Sequence, residues 1–280
     1  MISYLLYRSA SALLRIVPSR CAAPLAAAVA ALFYAAKPRI RRNVARNRER
    51  LGLGRRGTWA VFRNFSRAVA DFLRLSHLRR DELMSRCAIR GTGHLDAALA
   101  AGKGAILFGP HLGPWELGGA YLATLGYRIN TTALEHPSKR VTRYFSAKRA
   151  SWGIVDYPSR TCATSFMRAL AHGEPVVLLV DRHFSKRGVR ARFLGEETLV
   201  PGGHVVLALR SGAPLLPCCS FYTDDGRIEG VIGAPVETGH PPGPVEAVVS
   251  ACLDRIEEFV REHPDQWFAF DHVWMEGDDV

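Results

Sequence analysis

The chain is short of acid. Its 26 Asp and Glu stand against 37 Lys and Arg, a formal charge of +11 over 280 residues. That excess excludes a self-neutralised surface and points to an anionic partner: nucleic acid, an anionic membrane surface or an acidic protein. Lysine is itself scarce. The cations are almost all arginine, the better geometric match to phosphate and carboxylate. No internal repeat and no low-complexity or Pro/Gly-rich linker interrupts the chain, which excludes solenoids and tethered modules. None of the six cysteines (21, 87, 162, 218, 219 and 252) forms a C-x-x-C pair. A zinc ribbon or disulfide framework is thereby disfavoured, and reduced, buried thiols in a cytosolic compartment are expected. No apolar run reaches the roughly 20 residues of a spanning helix, so a polytopic membrane protein is excluded.

What is present begins with an unusual N-terminus. "MISYLLYRSASALLRIVPSR" sets Leu5, Leu6, Leu13, Leu14 and Ile16 among Arg8, Arg15 and Arg20, an amphipathic pattern. "CAAPLAAAVAALFYAA" (21–36) is apolar but alanine-rich and contains Pro24. Nine basic residues then fall between Lys37 and Arg56 against one acid, Glu49. An apolar helix followed by a basic run predicts a cytoplasmic-side membrane anchor, spanning or lying on the surface. The alternatives are a cleaved signal peptide, or a solvated basic helix following an Ala-rich core helix. Residues 1–56 are assigned to this membrane-associating segment and 57–280 to a catalytic domain.

From residue 57 the text alternates. Strand-like runs "GAILFG", "RINTTAL", "IVDYP", "PVVLLVD", "PLLPCCSFY" and "RIEGVIG" are interleaved with helical stretches such as "PWELGGAYLATLG", "TCATSFMRALAHG" and "GGHVVLALRSG". The chain closes on a long helix, "VEAVVSACLDRIEEFVREHP". This alternation predicts a three-layer α/β fold: a central, largely parallel mixed sheet flanked by helices, with the N-terminal helices as an appendage.

In such sheets ligands gather at the carboxyl ends of strands. "GPHLGPWELGG" (109–119) puts His111 there, with Gly113 expected as helix cap, Pro114 in the first helical turn and Glu116 after it. Folded back from a loop, His111 could rest on Glu116 as a base–orienter pair. A metal half-site and a purely structural turn are the alternatives, though i, i+5 is not the H-E-x-x-H spacing. A second cluster ends the most apolar strand: Asp181 and His183, followed by the basic Lys186, Arg187, Arg190 and Arg192. Arg149, in "AKRASWGI", is a third candidate. Each of these residues taken alone also has a plain structural reading, as a cap, salt-bridge partner or solvated cation.

Several blocks in order resemble one family, the late lipid A acyltransferases of the lauroyl/myristoyl class with the related phosphatidylinositol mannoside acyltransferases. They are "RRNVARN", "GKGAILFGPHLGPWELGG", "AKRASWGI", "GEPVVLLVDRHFSKRGVRARFLGE", "LALRSGAPLLP" and "HPDQWFAFDHVW". The resemblance implies His111 as general base with Glu116 as its partner, and Arg149 and Asp181 as site-organising residues. His183 and Arg187 are added as substrate contacts. It further implies an O-acyltransferase at the cytoplasmic face of the inner membrane. The acyl donor would be an acyl carrier protein or coenzyme A thioester and the acceptor a glycolipid, with no metal, cofactor or nucleic acid. A glycerol-phosphate-type lysophospholipid acyltransferase shares the histidine–carboxylate spacing. A non-catalytic basic binding protein would account for the charge alone.

Overall fold

The computed structural model describes residues 2–17, 19–133, 135–182, 188–239 and 243–274. Its centre is a seven-stranded sheet built from β1 (Cys87–Arg90), β2 (Ala105–Gly109), β3 (Asn130–Ala133), β4 (Val155–Pro158), β5 (Pro175–Leu179), β8 (Leu215–Tyr222) and β9 (Ile228–Ile232). The spatial order is β1-β9-β8-β2-β5-β3-β4. Every pairing is parallel except the β8–β9 hairpin. Strand β2 is buried along its whole length, as a strand covered on both faces must be. Its side chains alternate between two cores. Ile106 and Phe108 join α9 (Cys162–Ala171), α10 (Gly203–Ser211) and α11 (Val245–Glu262) on one face. Leu107 joins α4 (Thr58–Arg74), α6 (Thr92–Ala100) and α7 (Trp115–Thr124) on the other. The expected three-layer α/β architecture is present.

The N-terminal helices are α1 (Ile2–Ile16), α2 (Ser19–Ala36) and α3 (Pro38–Arg50). No single helix among the described residues is long and apolar enough to cross a membrane. The pair Cys21–Ala36 and Pro38–Arg50 is bent by 98° at the break between them. These helices are sewn to the body by polar side chains. Asn47 of α3 donates to the carbonyls of Ala269 (2.8 Å) and Asp271 (3.0 Å), and Asn43 to that of Phe270 (3.2 Å). Arg48 pairs with Asp265 and donates to the Arg56 carbonyl (3.1 Å). The N-terminal basic run and the C-terminal "HPDQWFAFD" stretch are thus bonded face to face. A second stitch is Lys148 of α8 (Lys139–Ala150), only 3% exposed. Its ammonium donates to Ser11 Oγ (3.0 Å), the Leu73 carbonyl (2.7 Å) and Ser76 Oγ (2.9 Å), tying α1 to α4 and α8.

Two elements escape the alternation pattern. Strand β1 is four residues long, and its apolar side chains do not stand out between the basic Arg86 and Arg90. Strands β6 (Val189–Phe193) and β7 (Glu196–Val200) form a separate antiparallel hairpin within what reads as a basic loop. Its two-residue turn holds Leu194 at φ +53° and Gly195 at φ +86°. Positive φ at both central positions suits the twist of a tight hairpin, but leucine is an unusual occupant. Leu194 is held there by burial and by its amide, which donates to the Glu257 carboxylate of α11. All six cysteines are free; Cys87 and Cys252 are buried and Cys21 is exposed.

Two outcomes follow from the stitches. Asn47→Leu withdraws one buried donor from two carbonyls of the C-terminal segment and should lower unfolding stability by about 1–3 kcal/mol in a urea titration. An unchanged midpoint would mean the contact is incidental. Burial pulls the Lys148 ammonium down to about 8. The charged form is therefore penalised in the folded protein below that pH. The penalty is relieved as pH rises from there towards the unfolded lysine value of about 10.4. Across that window the wild type should gain stability relative to Lys148→Met; a constant difference would contradict the assignment.

Candidate active site

Strands β2 and β5 are parallel neighbours, with Gly109 in register with Leu179. The residue two beyond each paired end is titratable: His111 after β2, Asp181 after β5. Adjacent strands run about 4.8 Å apart, so this register brings together side chains 70 residues distant in sequence. His111 Nδ1 lies 2.7 Å from Asp181 Oδ1, and the His111 amide donates to Asp181 Oδ2 at 3.0 Å. Asp181 is fully buried, and Trp267 Nε1 donates to the same Oδ2 at 2.8 Å. Burial alone would raise the Asp181 carboxyl. The facing imidazole, its hydrogen bond, the indole N–H and the backbone amide outweigh that and hold it below the usual carboxylate range. An ionised Asp181 assigns the Nδ1 proton to the imidazole, leaving Nε2 as the basic nitrogen.

The loop carrying His111 is clamped on both sides. The Phe268 amide donates to the His111 carbonyl (2.8 Å), and the Gly113 amide donates to the Gln266 carbonyl (2.9 Å). Gln266 in turn bonds the Tyr222 amide and carbonyl with its side chain, both at 2.8 Å. The helix cap is Pro114 rather than Gly113, and α7 begins at Trp115. Gly113 is required for a different reason. Its φ is +55°, and a Cβ there would sit 2.2 Å from the Ser220 carbonyl oxygen of β8.

The structure revises the expected His111–Glu116 pair. Glu116 turns to Arg149, with Nε–Oε2 at 3.0 Å and Nη2–Oε1 at 2.6 Å, while His111 Nδ1 is held by Asp181. The physical reason is charge. A partly buried guanidinium needs carboxylates, and Arg149 has a second one in Asp156 of β4 at 3.0 Å, itself bonded by Ser146 Oγ at 2.8 Å. Burial disfavours the Arg149 cation, but these two carboxylates more than compensate and raise its basicity. Arg149 is therefore the centre of a Glu116–Arg149–Asp156 network that fixes the start of α7 against α8 and β4. Asp156 carries no motif of its own; its signal was a carboxylate at a strand end beside the arginine-bearing helix. His183 and Arg187 lie outside the described residues. Arg190 and Arg192 are exposed on β6.

Beside His111 opens a cavity of about 740 Å³. Its wall is mostly aliphatic, and it draws on both faces of the sheet. Leu107, Gly118, Leu122 and Ile154 lie on the α7 side; Phe166, Leu178, Val180 and Leu207 lie on the α9/α10 side. Opposite faces of interior strands can be joined only over the strand ends, which is where Pro110 and His111 stand. A base at the mouth of an apolar cavity, oriented by a buried carboxylate, can deprotonate a hydroxyl next to a long hydrophobic substituent.

Trp267→Phe removes the indole N–H together with part of a buried ring, and only the loss of the N–H makes stability depend on pH differently. The folded-state Asp181 carboxyl should rise, so the stability it supplies above the unfolded aspartate value of about 3.9 should shrink. On acidification it should also be lost at a higher pH. The lost hydrogen bond should cost about 1–3 kcal/mol near neutrality, added to a packing loss that does not change with pH. An acid-unfolding curve superimposable on the wild type would show that the indole does not support the carboxylate.

The same chain can be set beside known proteins. It is 30% identical over 222 residues to a phosphatidylinositol mannoside acyltransferase of Mycobacterium tuberculosis, covering 77% of this chain and 69% of that one. The protein of the same name in Mycolicibacterium smegmatis is 28% identical over 220 residues, 77% of this chain and 71% of that one. A lipid A biosynthesis acyltransferase of Haemophilus influenzae is 25% identical over 198 residues, 70% and 60% respectively. The family described as bacterial lipid A biosynthesis acyltransferase matches residues 1–276. With a histidine–aspartate pair at the strand ends and a family match along almost its entire length, the chain belongs to the bacterial lipid A biosynthesis acyltransferases and is an O-acyltransferase.

Proposed function

We propose that the protein transfers a fatty acyl chain from a thioester, carried by an acyl carrier protein or coenzyme A, to a hydroxyl of a glycolipid at a membrane surface. The observation that carries this reading is the 2.7 Å His111–Asp181 contact at the mouth of the 740 Å³ apolar cavity. The cavity offers an acyl chain a largely apolar wall, and the names of the mycobacterial and Haemophilus relatives favour a glycolipid acceptor. His111 Nε2 takes the proton of the acceptor hydroxyl as its oxygen attacks the thioester carbonyl carbon. The new C–O bond forms and the C–S bond breaks. The imidazolium then returns the proton to the departing thiolate, giving ester and free thiol. Asp181 stabilises the imidazolium and holds the productive tautomer throughout. Arg149, neutralised by Glu116 and Asp156, shapes the wall beside the reacting centre.

The membrane part of the reading rests on an exposed apolar stripe. Leu5, Leu6, Leu13 and Ile16 of α1 are 46–78% exposed, and at 100° per residue they fall within about 100° of one another. Leu14 and Ser11, on the opposite side of α1, are buried. Val29 and Leu32 of α2 are exposed as well. With the arginines of α3 nearby, this suits a helix pair lying in the interface of an anionic leaflet, on the cytoplasmic face of the inner membrane.

His111→Ala should abolish acyl transfer in an assay of thioester consumption and ester formation. Asp181→Asn, which keeps the shape but not the charge, should lower kcat by two to four orders of magnitude, on the scale of about 10²–10⁴ for general-base catalysis. Glu116→Gln should cost less than Asp181→Asn. Near-wild-type turnover in either His111→Ala or Asp181→Asn would dismiss the mechanism. Leu6→Glu with Leu13→Glu should release the protein from anionic vesicles in a flotation assay, and undiminished binding would place the membrane contact elsewhere.

A further inference from the structure

On the α9/α10 side of the cavity stands a residue that acyl transfer does not use. His204, the second residue of α10, lines the cavity and is 2% exposed. Neither Nδ1 nor Nε2 has a hydrogen-bond partner. One face of the ring lies against Phe108, with centroids 5.7 Å apart. Phe166, Leu178 and Leu207 line the cavity on the same side. An imidazole placed in hydrocarbon with both nitrogens unbonded is unfavourable, and leucine would fill the same volume without that penalty. A polar atom supplied from inside the cavity removes it.

The protonation state narrows the class of ligand. Burial pushes His204 down to about 4, and the Pro201 carbonyl, outside hydrogen-bond geometry, only partly offsets this. The ring is therefore neutral at physiological pH, with one donor and one acceptor nitrogen. An anion would meet an acceptor as readily as a donor, and a cation would find no counter-charge. A hydroxyl, which both donates and accepts, matches.

Resting on the acyl-transfer reading above, we propose that the donor chain bound in this cavity carries a hydroxyl group, and that His204 selects it by hydrogen bonding. The wild-type enzyme then discriminates against an unsubstituted chain of the same length. Desolvating His204 without a partner lowers affinity for the plain chain, and one hydrogen bond between neutral groups corresponds to about a tenfold preference.

The test separates binding from turnover. The purified full-length protein is loaded with a fluorescent fatty acid, which is then displaced by tetradecanoic acid or by its isomers hydroxylated at the second, third or twelfth carbon. At least one isomer should displace about ten times more effectively than the plain acid. His204→Leu should bring that ratio to near one, and His204→Gln, which retains a donor and an acceptor, should keep part of it. The thermal midpoint of His204→Leu should equal or exceed the wild type, since no protein bond is lost. Equal displacement by all acids in the wild type, or a preference that survives in His204→Leu, overturns the proposal. So does a lowered midpoint with an unchanged ratio, which marks His204 as structural. The matching coenzyme A thioesters are then supplied with phosphatidylinositol mannoside or a lipid A precursor as acceptor. Hydroxyl preference that follows the acceptor's chains rather than the donor overturns the donor assignment. A displacement preference without transfer from any thioester defeats the acyl-transfer reading while leaving the His204 contact standing.

Discussion

A carboxylate stripped of water has to be surrounded by donors, and Asp181 dictates much of this structure through that need. It has no solvent exposure, and its oxygens receive the His111 ring and amide together with the Trp267 indole. Those donors come from two parts of the chain, each remote from Asp181 in sequence. The β2–β5 register supplies the histidine, and a C-terminal segment laid across the strand ends supplies the tryptophan. Had the carboxylate been exposed, water could have replaced any of them and the clamp would be dispensable.

The C-terminal segment needs its own support, and the N-terminus provides it. Asn43, Asn47 and Arg48 of α3 bond residues 265–271, and Asn64 of α4 donates to the Asp265 carbonyl at 3.0 Å. The helix that follows the two bearing the exposed apolar stripe is thus connected through hydrogen bonds to the segment that clamps the His111 loop. In this arrangement α3 acts less as an appendage than as a brace. Its arginine excess is divided between a buried cation, Arg48, and exposed ones such as Arg39, Arg42 and Arg46. Lys148 and Arg149, adjacent in α8, divide in a related way. The first ties down α1, and the second orders the start of α7.

Most of the fold is legible in the sequence because burial writes itself as periodicity. "AILFG" and "PVVLL" are covered on both faces and could be little else than central parallel strands. The β6–β7 hairpin is not legible, since its strands are half exposed and its turn uses a leucine where glycine or asparagine is usual. In the site, position along strands is readable and partnership is not. His111 and Asp181 announce themselves as polar residues just beyond apolar strands. That they face each other depends on a register of β2 with β5 that no local pattern encodes. Glu116 is close to His111 in sequence and is drawn instead to Arg149, because a guanidinium half-buried beside Asp156 attracts a carboxylate more strongly than a histidine whose Nδ1 is already engaged. His204 is illegible for the opposite reason. Within "GGHVVLALRSG" it reads as one polar residue of an amphipathic helix, and only the packed structure shows it facing hydrocarbon.

Asp181, not Glu116, holds the His111 imidazole, the base of the proposed reaction. Proton NMR of the purified enzyme with nitrogen-labelled histidine reads this directly, through the strongly downfield resonance of an Nδ1–H donated to a buried carboxylate. The account predicts that the His111 resonance is present in the wild type, persists in Glu116→Gln and disappears in Asp181→Asn. Loss in Glu116→Gln with survival in Asp181→Asn would contradict it.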